Sequence, residues 1–171
     1  MPESQFFGKH RGVVVDNADP ENLGRIEVML DVLGSRTAWC MPCVPYAGES
    51  LGWFFIPEVG AHVWVEFERG DPSYPIWTGC FWADKAPPGA TPARKTLKTP
   101  TTTLVIDDTD PKNGVFELDT TANGQTLSIK IDKAGITLTA ETAKITIATN
   151  EAAIELSGGT ITLSGSAINI G

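Results

Sequence analysis

A chain of 171 residues with 42% hydrophobic content is long enough for one large domain or two small ones. Thirteen Lys and Arg stand against 21 Asp and Glu, a net charge of −8, which argues against a nucleic-acid role because phosphate binding depends on clustered cations. There is no apolar run long enough for a membrane span and no signal-peptide pattern. Three cysteines make an odd set without a disulfide framework, so a soluble, cytosolic, reducing setting is expected.

Taken in chain order, "RGVVVD" at 11–16 reads as a first strand, followed by the turn-rich "DNADPENLG". "GRIEVMLDV" then alternates, with Ile26, Val28, Leu30 and Val32 on one face and Arg25, Glu27, Met29 and Asp31 on the other. A third strand is expected over about 37–44, a fourth in "AHVWVEFE" with Val63, Val65 and Phe67 inward, and a fifth over about 75–82. Five short strands without a helix predict a small five-stranded OB-type barrel over residues 1–82.

Two features of this domain admit more than one reading. Cys40 and Cys43 form a CxxC, which could be redox-active or, with Cys80, His10 and His62, a zinc site, yet a second CxxC and paired-His spacing are missing. The plainer reading is a strand whose small thiols pack as hydrophobes. Trp53, Phe54 and Phe55 in the loop before the fourth strand either plug the barrel end or form a protein contact.

All five Trp, both Tyr and six of seven Phe lie at or before residue 82, which marks a domain boundary. Residues 83–100, "ADKAPPGATPARKTLKTP", hold four prolines and four basic residues against one acid and read as a linker or extended collar. Residues 101–134 read as a β-meander, with Asn113-Gly114 and Asn123-Gly124 as tight-turn signals. Asp107 and Asp108 are adjacent on a strand, face opposite sides, and belong to a solvated turn.

Residues 135–171 repeat pairs of apolar residues two apart: Ile136 and Leu138, Ile145 and Ile147, Ile154 and Leu156, Ile161 and Leu163, Ile168 and Ile170, with Ile129 and Ile131 upstream. Spacing of two is a strand signal. Between pairs the steps are seven or nine, odd numbers that would reverse faces on a straight strand, so each step requires a corner or bulge. Short strands separated by corners predict a β-solenoid or an intertwined β-helix. One chain with two apolar residues per strand has little core and open edges, and three chains around an axis solve both. The twelve Ile and Leu from Ile129 to Ile170 are the expected trimer core.

"RGVVVDNADPENLGRIEVML", "PCVPYAG" and "GWFFIPEVGAHVWVEFERGDPSYPIWTG" with the closing "FW" resemble the OB domain of phage baseplate protein V and VgrG, the central spikes of contractile injection machines. The resemblance covers most of 11–82 and is specific in the order of Pro57, Glu58, Val59, Gly60, Val65, Glu66, Phe67, Gly70, Asp71, Pro72, Pro75, Ile76 and Gly79. It implies an all-β chain in which the barrel precedes a triple-stranded β-helix, three chains making one needle. The implied function is structural: a spike of a phage tail or tail-like particle that pierces the target outer membrane on sheath contraction. The implied location is the virion tail baseplate, assembled in the host cytoplasm.

Some spikes of this family carry a lysozyme domain, but the linker and meander leave too little chain for a cleft with paired carboxylates, so no catalytic residue and no enzyme are expected. Iron-binding tips of the family use a His-x-His motif. With only His10 and His62, no metal and no cofactor are expected, and a separate tip-capping protein or closure on Ile168 and Ile170 would end the rod. The chain starts almost at the barrel, which calls for a separate baseplate hub protein docking on Phe6, Phe7, Trp53, Phe54 and Phe55. A receptor-binding trimeric tail fibre or other β-solenoid binding module is the alternative.

Overall fold

β1 (His10–Asp16) alternates so that Gly12 and Val14 point into the protein, and its two neighbours show why a glycine stands there. A Cβ on Gly12 would lie 2.3 Å from Val28 Cγ1 and 2.7 Å from Leu30 Cδ2, so the strands cross too closely for any side chain. The computed structural model describes residues 5–84, 87, 89 and 91–167. The chain divides into two units, Met1–Lys85 and Ala86–Gly171.

In the first unit β1 is followed by β2 (Glu27–Leu30), β3 (Ser35–Arg36), β4 (Met41–Pro42), the hairpin of β5 (Ala47–Gly48) and β6 (Leu51–Gly52), β7 (His62–Phe67) and β8 (Pro75–Cys80). Six of them form one sheet in the order β3-β2-β1-β7-β8-β4, antiparallel except for the β4–β8 pair. A bridge between Ile26, just before β2, and Cys40, just before β4, links β2, next to one end of the sheet, to β4 at the other end and makes an OB-like barrel. Val14, Ile26, Val28, Leu30, Cys40, Val63, Val65, Phe67 and Trp77 fill it.

Two expectations shift here. Val32 does not continue the inward row: the chain turns at 31–34 and leaves it 48% exposed. The third strand shrinks to Met41–Pro42 and the bridge at Cys40, because Pro42 has no N–H to extend a ladder.

The β1–β2 loop is held by one buried carboxylate. Asp19 accepts hydrogen bonds from the backbone N–H groups of Glu21, Leu23 and Arg25 and from the Arg25 guanidinium at 2.6 Å. The Arg25 side chain, aided by those amides, holds the Asp19 carboxyl far below the usual carboxylate range despite its burial. Trp77 ties the same loop to the barrel by donating its indole N–H to the Gly24 carbonyl at 3.1 Å.

In the second unit β9 (Arg94–Lys98), β10 (Thr102–Asp107), β11 (Val115–Ala122), β12 (Gln125–Asp132) and β13 (Gly135–Ala140) form an antiparallel meander in chain order. The stretch expected to be linker therefore contributes a strand, since Thr96 and Leu97 pair with Val105 and Leu104. β14 (Ile145–Ala148), β15 (Ala153–Ser157) and β16 (Thr160–Ser164) make a separate three-stranded meander. The meander sheet thus runs on past residue 134 to Ala140.

Between β12 and β13, β14 and β15, and β15 and β16, hairpin turns rather than solenoid corners absorb the odd steps, whereas the step from Ile136 to Ile145 crosses between the two sheets. In an antiparallel hairpin, directly opposed residues share a face whatever their separation in sequence, and a two-residue turn makes that separation odd. Ile131 lies opposite Ile136, and Leu156 opposite Ile161. Gly158 and Gly159 (φ 54° and 77°) supply the left-handed pair that a tight hairpin needs, as do Asn123 and Gly124 (φ 51° and 76°). Asn113-Gly114 instead ends the longer loop between Asp107 and Val115.

Candidate functional site

Register in the second unit gathers its apolar side chains onto one face of each sheet. In the five-stranded sheet, Leu97, Leu104, Leu118, Ile129 and Leu138 stand opposite one another strand by strand, and Ile106, Phe116, Ile131 and Ile136 form the adjoining row. In the three-stranded sheet the rows are Ile145, Leu156 and Ile161, and Ile147, Ile154 and Leu163. Ten of the twelve residues expected in the trimer core lie on these faces, while Ile168 and Ile170 fall outside the described residues.

These rows are open to solvent. Ile136 is 73% exposed and Ile161 70%, whereas Ile26, Val28 and Leu30 in the barrel have no exposure at all. The other faces carry the charge: Glu117 sits opposite Lys130, and Glu155 between Thr146 and Thr162 with Lys144 at 3.0 Å. Val105 and Val115 are apolar exceptions on that face of the larger sheet, Val105 being buried. At the margins of the larger apolar face, the Thr102 and Thr120 hydroxyls meet at 3.0 Å and Lys95 pairs with Asp108 at 2.6 Å. An apolar centre with a polar rim is the anatomy of an interface.

The sequence reading began this surface at Ile129 and missed Leu97, Leu104, Ile106, Phe116 and Leu118. The same signal was present upstream, since Leu104 and Ile106, and Phe116 and Leu118, are also pairs two apart.

The barrel has a second exposed apolar region. Trp53, Phe54 and Phe55 all project, with the Trp53 and Phe55 rings 5.6 Å apart. With Leu23, Gly24, Val44, Leu51 and Ile56, Trp53 and Phe54 line a groove of about 550 Å³. Of the candidate docking residues, Phe7 is exposed but Phe6 is not free to dock. Phe6 packs against Phe67 and His10 at 5.8 and 6.2 Å, its N–H bonded to the Gly70 carbonyl, so it is Phe6 that plugs the barrel.

The CxxC separates on folding. Cys40 is buried 3.2 Å from the Thr37 hydroxyl, and burial pushes its thiol up to about 11, whereas Cys43 is exposed. A desolvated thiol of this kind packs as a hydrophobe and is a poor nucleophile or metal ligand. Among the described residues, no group of three His, Cys, Asp or Glu is arranged to hold a metal ion.

Residues 10–82, the span of the barrel strands, match the family described as the type VI secretion system/phage-baseplate injector OB domain. Over those residues the barrel is similar to an injector OB domain. It is similar to part of the actin cross-linking toxin VgrG1 of Vibrio cholerae serotype O1, 39% identical over 83 residues. That alignment takes in 48% of this chain and 7% of the toxin. The matched span includes both the Asp19 loop and the Trp53–Phe55 segment.

Proposed function

We propose that the chain is the central spike of a contractile phage tail or tail-like particle, and that three copies bring the open apolar faces of their second units together as an intertwined triple-stranded β-helix. The observation that carries this reading is the pairing, in one chain, of a match to the injector OB domain with a unit whose sheets each have one face with an apolar, largely solvent-open centre. Soluble monomers seldom leave such a continuous patch uncovered.

Magnitudes support assembly by the whole surface rather than by a few contacts. The ten Ile and Leu side chains are already covered in part, Ile136 and Ile161 least (73% and 70% exposed), so each gains on the order of 1 kcal/mol on full burial. Per subunit that is similar to the association cost of about 4–15 kcal/mol. The rows must therefore act together, and strand pairing between copies adds to them.

The rod so formed acts mechanically. Its apolar core resists bending, its Thr, Lys and Glu exterior stays hydrated, and sheath contraction drives it through the target outer membrane without catalysis. Phe7, Trp53, Phe54 and Phe55 on the injector OB domain dock on a baseplate hub protein. The test uses purified contractile particles carrying Ile154→Asp in this chain. Particles that contract on trigger but leave the target outer membrane intact are the expected result, and undiminished membrane breach would refute the spike role.

A further inference from the structure

The recess beside Trp53 and Phe54 owes its space to missing side chains. Ala47, Gly48, Ser50 and Gly52 line it from the β5–β6 hairpin and take up little of its volume of about 550 Å³. Opposite them stands the backbone at Gly24, where a Cβ would lie 3.0 Å from Ile56 Cδ1 and 3.4 Å from Phe54 Cε2. A side chain there would crowd the Phe54 ring and fill the space.

That backbone is fixed at two points. Trp77 holds the Gly24 carbonyl from inside the barrel, and the Asp19 carboxylate accepts the Leu23 N–H at 2.8 Å. A recess already shaped in the free protein pays little ordering entropy when filled, which suits one inserted side chain better than a broad adaptable contact. Its contact surfaces are apolar and available, since Leu23, Leu51, Trp53 and Phe54 are each at least half exposed. A bulky apolar group entering among them removes surface from water on both partners.

The surroundings are acidic. Arg25 is shared by Asp19 at 2.6 Å and Glu21 at 3.1 Å, so that trio keeps one negative charge next to Asn22 on the recess wall. Glu49 adds another from the exposed hairpin turn, and among the described residues no Lys or Arg lines the recess. Over residues 1–82 eleven acids stand against five bases, so the wider field has the same sign. We infer that this recess receives one bulky apolar side chain, flanked by Lys or Arg, from the baseplate hub protein. The hub as partner rests on the spike reading, which the recess deepens by naming the chemistry the hub must present. Leu23, Trp53 and Phe54 surround the inserted group, and Glu21 and Glu49 select its cationic flanks.

Photo-cross-linking in purified, intact contractile particles tests this. A benzophenone amino acid replaces Leu51 on the recess wall in one preparation and Phe7 in another, and the cross-linked peptides are sequenced by mass spectrometry. The expected result is a cross-link from position 51 to a baseplate protein other than this chain, on a peptide whose bulky apolar residue is flanked by Lys or Arg. Glu49→Lys, on an exposed turn, should cut the yield of that cross-link about tenfold; an unchanged yield would overturn the role given to charge. A cross-link from position 7 to the hub, with none from position 51 or with one from it to a second copy, would overturn the recess assignment and leave the docking reading standing. No baseplate cross-link from either position would overturn both.

Discussion

The two units use the same residue types to opposite ends. In the barrel, Ile26, Val28, Leu30, Val63 and Val65 are sealed by a sheet that closes on itself; in the second unit, Ile129, Ile131, Ile154 and Leu156 lie on sheets that stay open. Closure is the difference. The central barrel strands have apolar residues on one face and a partner on each side within their own chain. The meanders satisfy their inner strands and, among the described residues, leave one face of each sheet largely apolar and open.

The comparison is broken most severely by a charge on the open face. Ile154→Asp, at the centre of the three-stranded sheet, is expected to abolish self-association, with the near-ultraviolet circular dichroism of the barrel tryptophans unchanged; loss of both signals would mean that the units do not fold independently. Next in size, Leu30→Ala in the barrel should cost about 2–5 kcal/mol in denaturant melts. That loss should not vary with protein concentration, whereas any loss from Ile154→Ala should vary, as for a subunit contact.

Smaller again is Trp77→Phe, which strands the Gly24 carbonyl and should cost about 1–3 kcal/mol. At neutral pH the finest probe is Asp19→Asn read as a pH profile. The folded carboxyl titrates below its unfolded value near 4, so its contribution is present above that value and is lost as pH falls toward the folded one. The variant should be less stable at pH 7 and show a shallower loss below about pH 4. An unchanged acid limb would remove Asp19 from the account.

Much of this contrast was legible in the residues, with its failures confined to particular places. Alternation located β2 and β7, with the inward rows Ile26, Val28 and Leu30 and Val63, Val65 and Phe67. Phe6 was misjudged because aromaticity near a terminus says nothing of direction; only the Gly70 contact turns it inward. Asp19 passed unnoticed inside a turn-rich loop, where its role depends on Arg25 folding back over it, six residues on. β9 was hidden by the prolines around it, and by a sequence, RKTLK, that looks like linker until its partner Thr103–Asp107 is known. The odd spacing in the tail was read as corners because hairpin geometry, which sets faces by opposition and not by count, yields the same numbers.

The central claim is that the open faces exist to be shared among three chains. Light scattering on the intact chain measures this directly. The account predicts a mass three times the 18.3 kDa of one chain, independent of dilution into the micromolar range. A steady 18.3 kDa would contradict it, showing that the apolar rows remain uncovered in solution and that the spike has no core.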